Sequence, residues 1–71
     1  MTVEFRFAVY DSNEHPKKST HYRVIENDGM YKIQVHFPRE PWMDYCKAAF
    51  SSVSDVLKSK QFKHLFSRKE E

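Results

Sequence analysis

The sequence predicts an α+β fold: a three-stranded antiparallel β-meander packed on one long C-terminal helix, with room for a short terminal helix after it. Three observations lead there. Apolar residues alternate with polar ones near the N-terminus, an Asp-Gly pair stands between two further alternating segments, and beyond two prolines the apolar spacing becomes helical.

The first strand is expected over residues 3–10. Val3, Phe5, Phe7 and Val9 share one face and Glu4, Arg6, Ala8 and Tyr10 the other, because successive side chains of a strand point to opposite sides. Asp11 to Ser19 gathers turn-formers, a proline and two lysines, and reads as a solvated loop. Strands over 20–26 and 30–37 then flank Asn27-Asp28-Gly29, where Asp and Gly both tolerate the positive φ of a tight hairpin turn. A two-residue turn at Asp28-Gly29 opposes Tyr22 to Val35, Val24 to Ile33 and Glu26 to Tyr31. One face then collects Tyr22, Val24, Tyr31, Ile33, Val35 and Phe37. A three-residue loop would oppose Val24 to Lys32 and mix the faces, so the two-residue register is preferred.

Pro38 and Pro41 end the sheet, since neither can donate to a ladder, and Pro41 suits the first turn of a helix. A helix over 41–58 places Trp42, Tyr45, Cys46, Ala49, Phe50, Val53, Val56 and Leu57 in one apolar arc. Asp44, Lys47, Ser51, Ser54, Asp55 and Lys58 fall on the other side. Past Ser59 the phase flips: an unbroken helix would put Lys60 in the buried stripe and Phe62, Leu65 and Phe66 opposite it. Either the helix breaks near Ser59 and Lys60 and a short helix over about 61–67 folds back, or it continues and presents those three residues to a partner. The charged tail Ser67 to Glu71 is expected to fray.

Composition bounds the function. Seventy-one residues suffice for one domain, 1–71, and a chain of this size hides only about 60% of its unfolded surface, which favours surface recognition over an enclosed pocket. Six Phe, four Tyr and one Trp are more large rings than a minimal core usually conceals, which leaves room for some of them on a binding surface. The net charge of +2 permits an anionic partner without requiring one. A lone cysteine, Cys46, makes no internal disulfide and points to a reducing compartment. With an alternating N-terminus in place of an apolar leader, and no run of 18 apolar residues, the expectation is a cytoplasmic protein that neither crosses a membrane nor is exported.

No motif aligns a nucleophile, a base and oxyanion donors. Ser51 and Ser54 sit on a polar helix side, Cys46 on the apolar one, and the single glycine, Gly29, is used by a turn, so no enzyme and no cofactor is expected. His21 and His36 oppose each other across the hairpin, but two imidazoles without a third ligand make no metal site, and His15 and His64 add no ligand spacing.

The reading these residues favour is a small non-catalytic binding or regulatory protein, of the accessory or inhibitor type common among the small proteins of phages and plasmids. It would dock on another protein, or on a second copy of itself, through Phe62, Leu65, Phe66 and Lys63 or through an unpaired sheet edge. The alternative is a nucleic-acid-binding module using the outward Arg6, Arg23, Lys32 and Gln34, with phosphate contacts from the C-terminal lysines and stacking on Tyr10. In architecture alone the meander and helix are similar to sheet-type DNA readers; Glu4 and Ile25 on the same face weigh against that alternative.

Overall fold

A computed structural model describes residues 1–11 and 18–66. Strands β1 (Thr2–Asp11), β2 (Lys18–Asn27), β3 (Met30–His36) and β4 (Met43–Asp44) form one antiparallel sheet in the order β1-β2-β3-β4. Two short helices, α1 (Val53–Lys58) and α2 (Lys60–Phe66), follow. The loop expected over 11–19 lies largely outside the described residues, and its ends, Asp11, Lys18 and Ser19, belong to strands; the tail past Phe66 also lies outside them.

The β2–β3 hairpin adopts the two-residue register. Tyr22 opposes Val35, Val24 opposes Ile33, Glu26 opposes Tyr31 and His21 opposes His36. Asp28 (φ 56°) and Gly29 (φ 79°) supply the left-handed pair that a right-twisted hairpin requires, and the Gly29 N–H donates to the Glu26 carboxylate at 2.8 Å.

On β1 the alternation holds from Phe5 onward and fails before it. Phe5 opposes Val24, but Val3 opposes Ile25, so Glu4 is an extra residue that shifts the phase of the strand. Val3 therefore leaves the Phe5, Phe7, Val9 face and joins Ile25 on the outer one. This explains why Ile25 is buried yet lies apart from the main core cluster.

The long helix over 41–58 does not form. Residues 43–50 instead run along the outer edge of β3: Asp44 opposes Gln34, Met43 opposes Val35, the Tyr45 N–H donates to the Ile33 carbonyl at 2.8 Å, and Tyr31 and Phe50 exchange backbone hydrogen bonds at 2.7 and 2.8 Å. Helical spacing loses here because its first turns rested on Trp42, Tyr45, Cys46 and Phe50, all indifferent helix formers, while an uncovered edge of β3 would leave a row of backbone groups unpaired. The three-stranded expectation is corrected to four strands for the same reason.

Helix α1 begins where a cap permits it. Ser52 is its N-cap, the Asp55 N–H donates to the Ser52 hydroxyl at 3.1 Å, and Asp55 lies in the first turn, favourable to the helix dipole. The break expected near Ser59 and Lys60 is present. Ser59 is extended (φ −71°, ψ 154°); its N–H and hydroxyl both donate to the Val56 carbonyl, while its hydroxyl accepts from the Phe62 N–H at 3.1 Å. One residue thus closes α1 and opens α2, and the chain turns so that the apolar residues of α2 return to the sheet.

The core lies on the inner face of the sheet. Tyr22, Val24, Ile33, Val35, Val56 and Leu65 are buried together, with Phe5, Phe7, Val9, Tyr31, Tyr45, Phe50 and Phe62 packed around them. Complete burial of a side chain such as Val56 or Leu65 stabilises by roughly 1.5–3 kcal/mol, so two short helices hold through the residues they insert rather than through their own propensity. Among the described residues no helix is long and apolar enough to cross a membrane.

Candidate functional site

Two surfaces gather the residues singled out by the sequence. The first is the β1 side of the molecule. Phe7 is the hub of an aromatic cluster, with ring centroids 5.9 Å from Phe5, 5.3 Å from Tyr22, 5.3 Å from Phe62 and 5.5 Å from Phe66; Phe62 and Phe66 lie 5.0 Å apart. The proposed partner-binding residues divide between interior and surface. Leu65 is in the core and Phe62 is packed against it, so neither forms the centre of an exposed patch, whereas Phe66 is 54% exposed and Lys63 is exposed beside it. The division follows from the break at Ser59, which turns the stripe of α2 inward and leaves Phe66 at its rim.

The unpaired sheet edge, named separately as a docking surface, proves to be adjacent. Among the described residues β1 pairs only with β2, so its outer side carries no strand, and Phe66 sits on Phe7 of that same strand. The aromatic segment and the open edge are one continuous surface.

The second surface is the outer face of the sheet. Arg6 opposes Arg23, which opposes Gln34, which opposes Asp44; in the adjacent row Ala8 opposes His21, which opposes His36. Trp42 lies over this grid, with the Arg23 guanidinium 4.4 Å from its ring centroid and the His36 ring at 5.0 Å. Arg23 Nε donates to Gln34 Oε1 at 2.8 Å, Gln34 Nε2 donates to Asp44 Oδ1 at 3.1 Å, and Lys32 Nζ stands 3.4 Å from Asp44 Oδ2. The Gln34 hydrogen bond, aided by the Lys32 ammonium and opposed by partial burial, holds the Asp44 carboxyl below the usual carboxylate range.

Of the four residues named for nucleic-acid contact, Lys32 and Gln34 are thus engaged by Asp44, Arg23 is committed to Gln34 and Trp42, and Arg6 is exposed without an ion pair among the described residues. Sequence reasoning missed Trp42 and Asp44 on this face because it wound both into a helix. The Ser52-x-x-Asp55 capping signal, which places the helix start after residue 52, would have released them.

Two of the serine hydroxyls have structural uses. Ser51 Oγ donates to Asp55 at 2.7 Å and Ser52 caps α1, while Cys46 is half-buried with a free thiol beside Tyr45, Lys60, Gln61 and His64. Among the described residues no three His, Cys, Asp or Glu side chains come together as a metal-binding group. Comparison of the chain with protein-family models, curated proteins and solved structures finds no match.

Proposed function

We propose that this protein is a small non-catalytic binding protein of the accessory or inhibitor type, which acts by docking on another protein through the β1 edge and the aromatic rim of α2. The observation that carries the reading is the position of Phe66, half-exposed and 5.5 Å from Phe7 on the strand whose outer side is unpaired. An open strand offers a backbone ladder, and rings at its margin offer apolar contacts to alternate side chains of an added strand. The occupant is therefore an extended segment of a partner protein. It continues the sheet past β1, with apolar residues over Phe7 and Phe66.

The test begins by purifying a partner captured from native lysate, reconstituting the pair, and measuring affinity for wild type and Phe66→Glu. Loss of at least about ten-fold in affinity with an unchanged fold supports the reading, since a buried aromatic contact is typically a dominant one. Equal affinity for both proteins, or binding that maps away from β1 by hydrogen exchange, contradicts it. Sedimentation of the isolated chain shows separately whether a second copy takes the place of the partner.

A further inference from the structure

We infer that the outer face of the sheet holds a nucleotide-sized site, in which Trp42 meets an aromatic base and Arg6, His21 and His36 meet the phosphate attached to it. Arg6 and Arg23 oppose each other directly across β1 and β2, and His21 and His36 oppose each other in the neighbouring row across β2 and β3. Like charges set directly opposite one another, as Arg6 and Arg23 are, cost a sheet stability unless something anionic lies between them. Among the described residues none of the four forms an ion pair, and the one carboxylate anchored on this face, Asp44, is held by Gln34 and Lys32. Glu4, two residues before Arg6, is displaced by the bulge and makes no ion pair with it.

The space between these groups is a concavity of about 300 Å³ lined by Arg6, His21, Tyr22, His36 and Trp42. That is the lower end of the range for small-molecule sites and suits a single nucleotide. The aromatic wall is ordered before any ligand arrives: Asp44 fixes Gln34, Gln34 fixes Arg23, and Arg23 lies on the indole. A preset ring beside the Arg6 guanidinium and two imidazoles recognises a base joined to a phosphate, because the ring stacks on any base while guanidinium and imidazole N–H groups donate to phosphate oxygens. That chemistry is supplied either by a free nucleotide or by one nucleotide of a single strand.

Trp42 is the chain's single tryptophan, so its fluorescence reports the site directly. The intact protein is titrated at low salt with adenosine monophosphate, with inorganic phosphate, and with a ten-residue oligodeoxythymidylate. Saturable quenching by the mononucleotide is expected, with phosphate binding at least about ten-fold more weakly, since stacking on one aromatic ring is worth roughly one to two decades in affinity. Tighter binding of the oligonucleotide, with a salt slope near −0.7 per phosphate contacted, identifies a single strand as the source; equal binding per nucleotide identifies the free nucleotide.

Arg6→Gln and His21→Leu, both at exposed positions on the lining of the concavity, should each weaken binding about ten-fold, while Phe66→Glu leaves it unchanged. The inference is overturned if phosphate and mononucleotide bind alike, if neither mononucleotide nor oligonucleotide gives saturable quenching, or if both Arg6→Gln and His21→Leu, folded by circular dichroism, bind as the wild type does.

Discussion

The two edges of the sheet are treated in opposite ways by the same chain. At β3, the backbone itself returns: β4, the Tyr45 N–H and the Tyr31 and Phe50 bridge occupy the edge hydrogen bonds one after another. At β1, the chain sends back rings without a strand, so Phe62 and Phe66 lean on Phe7 while the outer backbone of a ten-residue strand has no ladder partner among the described residues. Closing an edge removes a site for unwanted pairing, and the edge left open beside aromatic side chains is the one our proposal assigns to recognition. The bulge at Glu4 limits that open edge to the run from Phe5 onward, where the strand is regular.

The largest expected effect comes from removing the hub of the β1 side. Phe7→Ala takes the shared ring from contacts with Phe5, Tyr22, Phe62 and Phe66 and should destabilise by about 3 kcal/mol, read as a lowered urea midpoint. In so small a domain that loss is a large part of the total. Next comes Ser59→Ala, which removes the hydroxyl that bonds both helices and should cost roughly 1–2 kcal/mol. Its signature is selective: faster amide exchange in α2 with β3 and β4 little changed, which separates the ring-covered edge from the backbone-covered one.

The smallest effect belongs to the β3 side. Asp44→Asn removes the ion pair with Lys32 and should cost less than about 1 kcal/mol, because both side chains are partly exposed and screened. The folded carboxyl titrates below its unfolded counterpart, so its contribution is present at neutral pH and is lost as the pH falls through the lowered folded value. Acid unfolding curves of wild type and Asp44→Asn should therefore converge at the acid end and separate slightly above it.

The hairpin was legible because its turn admits one register: Asp28-Gly29 and the alternating residues beside it agree, and both faces follow from that agreement. The interruption at Ser59 was also legible, as a conflict between Lys60 and the apolar stripe. The segment from Trp42 to Ser52 was less so, since its apolar spacing fits a helix as well as an edge cover; the Ser52-x-x-Asp55 cap marks the later helix start, and the otherwise unmet backbone groups of β3, a tertiary demand, draw the segment before it to the edge. Misplacing that segment hid the indole over Arg23 and the carboxylate that orders the outer face. The surface of α2 was legible only in part, because which of Phe62, Leu65 and Phe66 faces outward depends on the turn at Ser59.

The most direct test of the open edge is residue-resolved amide exchange on the isolated protein and again with its partner bound. In the isolated protein the Tyr31, Tyr45 and Phe50 amides should be protected, while from Phe5 to Tyr10 every second amide, those pointing away from β2, should exchange rapidly and become protected when the partner binds. Uniform protection of β1 in the isolated chain, or outward amides that stay unprotected in the complex, would contradict the account.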